Sequence, residues 1–202
     1  VSWMKTTAEM DGLTRIFNKK HIDQALNQLV YRAACATYDQ RSGQAQPAQA
    51  LSVFLFDIDN FKNYNDTNGH LAGDKLLQEL AGLVNEAVRK DDILGRFGGE
   101  EFLLVMPHTN ATQALAVAEK IRSLLAHHSF PFAETQPLGC ISISGGVAEY
   151  PFHGLDAAGI LRASDEALYE AKRSGRNRVL LAKAVAPAPI VAPGGAREPQ
   201  RP

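Results

Sequence analysis

Apolar positions along the chain fall into two rhythms, one suited to strands and one to helices. Leu51–Ile58, LSVFLFDI, is short and nearly continuous in apolar character, which predicts a strand buried on both faces. Ile93–Met106, ILGRFGGEEFLLVM, sets two apolar runs either side of Gly98-Gly99 and predicts a hairpin whose tight reversal the two glycines permit. Ile141–Ala148 alternates like a strand, with Gly145-Gly146 suggesting a bulge or a close backbone approach. Asn177–Ala182 supplies a closing strand.

Helical spacing fills the gaps between these strands. Ile22, Leu26, Leu29 and Val30 predict a helix that begins near an Asn18 cap and runs to about Ala36. Leu76, Leu80, Leu83 and Ala87 form a stripe over His70–Arg89, and Leu115, Ala118, Ile121 and Leu125 another over Thr109–His127. Leu155–Ser174 reads as a helix stopped by Gly175, a residue suited to a left-handed cap. Asp11–Thr14 predicts a turn, Asn63–Gly69 a polar bend, and Thr37–Ala50 a flexible loop.

From Leu51 onward the order is strand, helix, strand, strand, helix, strand, then helix and strand. That order suits an α+β fold of ferredoxin-like, palm-like sandwich type, a mostly antiparallel sheet flanked by helices. Residues 11–182 then form one domain. Residues 1–10 read as the end of a linker helix from an upstream signalling domain, since the chain opens at Val1 rather than Met, as a fragment would. The Ala- and Pro-rich 183–202 reads as a disordered tail.

Charge narrows the partners. With 21 basic and 22 acidic residues the net charge is −1, which offers no footprint for nucleic acid or an anionic membrane. Cys35 and Cys140 match no metal or redox spacing, no apolar run approaches a membrane span, and no signal peptide opens the chain. A cytoplasmic setting is expected.

The hairpin tip is the chemical anomaly, because Glu100-Glu101 interrupts two runs that otherwise want burial. In the expected sheet the end of the first strand lies beside that tip, so Asp57 and Glu100 share one site. Two carboxylates with backbone carbonyls nearby make an oxygen-rich seat for a hard cation such as Mg²⁺. Around it, Phe61 and Lys62 follow the strand where backbone N–H groups can face an anion. Lys172 and Arg176 flank a helix end and can reach a polyphosphate, and Asn65 and Asp74 can read a base edge. Each has a plainer reading: Asp57 and Asp59 as strand-end carboxylates, Lys62, Lys172 and Arg176 as a solvated face, Asn65 as a turn former and Asp74 as a helix-start charge.

Five segments resemble, in order, the blocks of the GGDEF domain family of bacterial diguanylate cyclases. They are DGLTRIFNKK, FDIDNFKNYNDTNGHLAGD, RKDDILGRFGGEEF, ISISGGVAEYPFHG and ASDEALYEAKRSGRNRV. The resemblance runs from about Asp11 to Leu181 and implies a palm-like fold related to class III nucleotidyl cyclases. It implies condensation of two GTP into cyclic di-GMP and two pyrophosphates, each 3′-hydroxyl attacking the partner's α-phosphate across a homodimer. By matched position, Asp57, Glu100 and the Ile58 carbonyl are implied metal ligands for Mg²⁺, with Mn²⁺ able to substitute. Glu101 is implied to help bind metal or activate the 3′-hydroxyl, and Asp57, Glu100, Glu101 and Lys62 form the implied catalytic set. Asn60, Phe61, Lys62, Lys172 and Arg176 fall on the implied triphosphate side, and Asn65 and Asp74 on the guanine side. Arg89 and Asp92 match an RxxD inhibitory product site, with Lys120 where relatives often carry a supporting Arg. Departures are few: Arg15 for the usual Gly, Gly145 for a branched apolar residue, and a somewhat long 37–50 loop.

The resemblance further implies an upstream sensory or receiver domain that controls dimerisation. Two other readings compete with an active cyclase. One is a degenerate module that binds GTP or cyclic di-GMP and signals by contact, although such relatives normally lose acids that are present here. The other is an unrelated phosphoryl-transfer enzyme, for which no GxxxxGK pattern occurs.

Overall fold

The structure, a computed structural model, describes residues 7–36 and 49–184. Five strands form one sheet in the order β2-β3-β1-β4-β5: β1 Leu51–Ile58, β2 Ile93–Arg96, β3 Glu101–Pro107, β4 Ile143–Tyr150 and β5 Val179–Leu181. All neighbours are antiparallel except β4 and β5, which run parallel. The helices are α1 Lys19–Ala36, α2 Phe61–Asn68, α3 His70–Ala87, α4 Ala111–His127 and α5 Ala157–Arg173. Among the described residues no helix is long and apolar enough to cross a membrane.

The sheet divides two cores. Phe54, Phe56, Ile58, Phe102, Leu104 and Met106 face one core with α2, α3 and α4, and the rings of Phe54, Phe56 and Phe102 stack there at 4.8 and 5.4 Å. Val53, Leu55, Leu103 and Val105 face the other with Ile22 and Leu26 of α1 and Ile160 and Leu168 of α5. A sandwich of sheet and one helical layer is thus extended to three layers. The reason is visible in β1 and β3, whose apolar runs leave no face that water could solvate without cost. Since side chains alternate, Asp57 belongs with Val53 and Leu55, and Glu101 with Leu103. Both acids therefore start from the α5 side of the sheet.

Most predicted boundaries hold within two residues. Asn18 caps α1 by accepting the His21 N–H at 2.9 Å, and α5 ends at Ser174 before Gly175, whose φ is +119°. One expectation changes. Asn63–Gly69 is no bend, because Phe61–Asn68 closes as α2, held by the buried faces of Phe61 and Tyr64. Gly145-Gly146 makes no bulge, since β1 and β4 stay in register from Leu51↔Tyr150 to Ile58↔Ile143. The other expectation for the pair, a close backbone approach, holds: Gly146 gives room to the Ser164 carbonyl and Leu168 N of α5, and Gly145 to the Phe54 ring. Of the segment 1–10, the described residues hold a 3-10 turn at Thr7–Glu9 and a bridge from Met10 to Phe17. The rest of that segment, most of the 37–50 loop and residues 185–202 of the tail lie outside the described residues.

The hairpin reverses at Gly98-Gly99 as expected. Neither Gly98 nor Gly99 takes a left-handed φ. A Cβ on Gly98 would meet the Glu101 carboxylate, the mobile end of a long side chain. The reversal is held by hydrogen bonds: Phe97 N–H donates to the Glu101 carbonyl at 2.8 Å, and Arg96 donates to the Gly99 carbonyl from Nε at 3.1 Å and Nη2 at 2.6 Å. Arg96 Nη1 also meets Asp11 Oδ1 at 3.3 Å. Burial alone would raise the Asp11 pKa, but the Thr14 N–H and hydroxyl and the Arg96 charge outweigh it and hold the carboxyl below its ordinary value. The early turn is thereby tied to the hairpin.

Candidate active site

Pairing of β1 with β3 sets Asp57 opposite Glu101, and the Ile58 N–H donates to the Glu100 carbonyl at 3.4 Å. The end of the first strand and the hairpin tip therefore meet. Lys172, in the last turn of α5, completes the cluster with Nζ 2.9 Å from Asp57 Oδ2. The side chain of Asp57 is 6% exposed, and burial pushes its pKa up to about 6. Lys172 opposes that rise by its hydrogen bond and charge, while Glu100 and Glu101 add to it. Glu100 is also raised, first by burial and further by Glu101, against the pull of Lys172. Three carboxylates and one ammonium thus share the tip, so the cluster is short of positive charge.

The chain turns sharply after β1. Asn60 takes a left-handed φ of 56° and precedes α2, and its side chain makes no cap hydrogen bond. Phe61 is buried as the first residue of α2, and Lys62 beside it is exposed. Their backbone N–H groups open the helix beside the acidic cluster, a place that favours an anion. Further along α2, the buried Asn65 Oδ1 has no hydrogen-bond partner. It sits where a Cβ on Gly73 would be, with Phe61 also close, and Asp74 follows exposed on α3. Gly73 is thus a residue that the sequence reading missed. A glycine inside a helix was the available signal, since it gives up about 1 kcal/mol of helix propensity against Ala.

Asp59 behaves unlike its neighbour Asp57. It is 4% exposed, and its carboxylate accepts from Ser142 Oγ and Ser144 Oγ, both at 2.7 Å, and from Asn177 N–H at 3.0 Å. Arg176, adjacent to Asn177, is exposed with a left-handed φ of 60°.

Arg89 and Asp92 close a turn after α3. Asp92 Oδ2 accepts the Arg89 N–H at 2.9 Å and Asp92 N–H donates to the Arg89 carbonyl at 3.1 Å, so the contact is to backbone and no ion pair joins the side chains. Burial raises the Asp92 pKa against the pull of this hydrogen bond and the Arg89 charge. Lys120 lies on the exposed side of α4 and bonds to neither. Among the described residues no group of three or more His, Cys, Asp or Glu has a metal-holding arrangement.

Comparison with known proteins agrees with this fold. The family model described as "Diguanylate cyclase, GGDEF domain" matches residues 8–178. Diguanylate cyclase A of Treponema denticola is 41% identical over 142 residues, which covers 70% of this chain and 38% of that protein. The chain thus spans little more than a third of that relative's length. The GGDEF domain of DgcB from Caulobacter crescentus, solved in complex with cyclic di-GMP, superposes with a TM-score of 0.73 at 30% identity, covering 88% of this chain and 98% of that one. The active GGEEF domain of a diguanylate cyclase from Vibrio cholerae superposes at 0.70 with 36% identity, covering 83% and 98%. On the acids of the hairpin tip, the sheet that sets them and these matches, the chain belongs to the diguanylate cyclase GGDEF domain family.

Proposed function

We propose that this chain is one half of an active diguanylate cyclase, each domain binding one GTP and two domains facing each other to form cyclic di-GMP and two pyrophosphates. The observation that carries the reading is the intact tip, with Asp57, Glu100 and Glu101 gathered around Lys172. A degenerate binding module has no need to keep three carboxylates in mutual repulsion, because such strain persists mainly where chemistry uses it.

The donor set fits a divalent cation. Asp57, Glu100 and the Ile58 carbonyl would hold Mg²⁺ or Mn²⁺, with few protein ligands, as suits an ion that shares substrate phosphates. When bound, the ion would supply positive charge at the α-phosphate and acidify the attacking hydroxyl.

The remaining work falls to the chain. Backbone N–H groups of Phe61 and Lys62 receive phosphate oxygens at the start of α2, with Asn60 entering the same turn. Lys62, Lys172 and Arg176 neutralise the triphosphate, Lys172 as a point charge and Arg176 as a planar fork. Asn65 offers its unpartnered amide oxygen to guanine N–H donors, and Asp74 accepts from the same edge. Glu101 takes the 3′-hydroxyl proton. Arg89 and Asp92, with Lys120, bind product and inhibit. A sensory or receiver domain upstream of 11–182 would set how often two half-sites meet, in the cytoplasm.

The test is incubation of the purified chain with GTP and Mg²⁺, with products resolved by chromatography, beside a Glu100→Ala, Glu101→Ala variant. Cyclic di-GMP from the wild type alone supports the reading. Silence that persists when a fused coiled coil enforces pairing overturns it in favour of the binding module.

A further inference from the structure

Asp59 follows Asp57 by two residues, the spacing at which a continuing strand puts both carboxylates on one face. The chain does continue pairing, since Asp59 N–H donates to the Ser142 carbonyl at 2.9 Å. Yet its carboxylate is engaged by the protein. Oδ1 accepts from Ser144 Oγ at 2.7 Å, and Oδ2 accepts from Ser142 Oγ at 2.7 Å and from Asn177 N–H at 3.0 Å. A ligand for a cation must turn a free lone pair to the open site, and both oxygens of Asp59 already accept from the protein.

The third donor matters most. It belongs to the turn after α5, where Arg176 and Asn177 both take left-handed φ, 60° and 44°. Two successive non-glycine residues in that region need an outside hold. Asp59, just past the end of β1, supplies one. Arg122 of α4 supplies another from the opposite side: its Nη1 donates to Asn177 Oδ1 at 2.8 Å while its Nε lies 2.7 Å from Glu119 Oε2. Asn177 is gripped by its backbone on one side and its side chain on the other.

We propose that Asp59 and Arg122 are positioning residues that hold the Arg176–Asn177 turn so that the Arg176 guanidinium meets the triphosphate of GTP. This rests on reading Arg176 as a phosphate contact. Asp59 is thereby separated from Asp57 in role, one acid facing the reaction and the other the framework.

A double-mutant cycle on the full chain tests it, read first as equilibrium GTP affinity in the presence of Mg²⁺ and then as KM and kcat. Asp59→Asn and Arg122→Ala are each expected to weaken GTP about tenfold, with kcat held within about twofold and the Mg²⁺ midpoint unchanged. Neither should weaken GTP further once Arg176→Ala is present. Arg122 is more exposed than Asp59, so its variant carries the test if Asp59→Asn does not fold. Additive losses, unchanged affinity, or a shifted Mg²⁺ midpoint for Asp59→Asn overturn the proposal while leaving Arg176 as a phosphate contact. An Arg176→Ala variant that binds GTP normally overturns the phosphate reading and the proposal together. A wild type that binds but never turns over overturns only the cyclase, because the cycle is still read in affinity.

Discussion

Lys172 Nζ sits 2.9 Å from Asp57 Oδ2, and the carboxylate is still held well above its ordinary pKa. Burial has beaten an ion pair, as it can when only one charge serves several carboxylates. In metal-free protein this predicts a pH dependence. An unfolded Asp57 ionises near 3.8, while the folded one keeps its proton up to about 6. Between those values the folded chain carries a proton that the unfolded chain lacks, so stability falls as pH rises from about 4 to about 6. The full loss is about 3 kcal/mol, from about 1.4 kcal/mol per pH unit. Urea unfolding in chelator across pH 4–7, with Asp57→Asn as the reference, measures it: the wild-type slope should be negative and the difference should vanish at the acid end.

Glu100 makes the same tension separable from function. Glu100→Gln removes one like charge from the cluster and should raise the melting temperature in chelator by about 2 °C. The same change should cut cyclic di-GMP formation by about a hundredfold or more. Thermal unfolding and product chromatography on one preparation read both. A variant that loses stability would mean that the Glu100 charge is structurally satisfied.

Arg89 and Asp92 are expected to part company in mutagenesis. The turn uses only backbone atoms of Arg89 but the side chain of Asp92. Both Arg89→Ala and Asp92→Ala should raise the cyclic di-GMP concentration needed for half inhibition. Only Asp92→Ala should also cost stability, about 1 kcal/mol, comparable to a lost helix cap. Inhibition curves and urea midpoints for the pair decide this.

Two helix-facing glycines predict different failures. A Cβ at Gly146 would strike the Ser164 carbonyl, backbone that cannot swing away, so Gly146→Ala should cost about 3 kcal/mol in urea unfolding. A Cβ at Gly73 would strike the Asn65 amide, which can move. Gly73→Ala should therefore fold with near-normal stability while KM for GTP rises about tenfold, through loss of a guanine contact.

Apolar runs and helical stripes made most elements legible in the sequence, because β1 and β3 are buried on both faces and α3 and α4 have strong stripes. α2 was not legible. Its eight residues bury only Phe61 and Tyr64, and its start depends on a left-handed Asn60. The acids of the tip were legible as a motif, and so was their meeting with β1, which follows from strand order. The Lys172 ion pair, the different fate of Asp59 and the Asn65–Gly73 contact were not, because each joins segments that meet only after the sheet and helices have packed. The reversal at Gly98-Gly99 was legible, but the approach of the Glu101 carboxylate to Gly98 was not.

β3 carries apolar side chains to both cores, so a one-residue slip against β1 would exchange one buried face for another of similar character. What such a slip cannot preserve is the facing of Glu101 and Asp57. The register of β3 against β1 is therefore the ruler of the site. A single codon gained or lost within either strand would leave a chain that folds but no longer sets these two acids face to face.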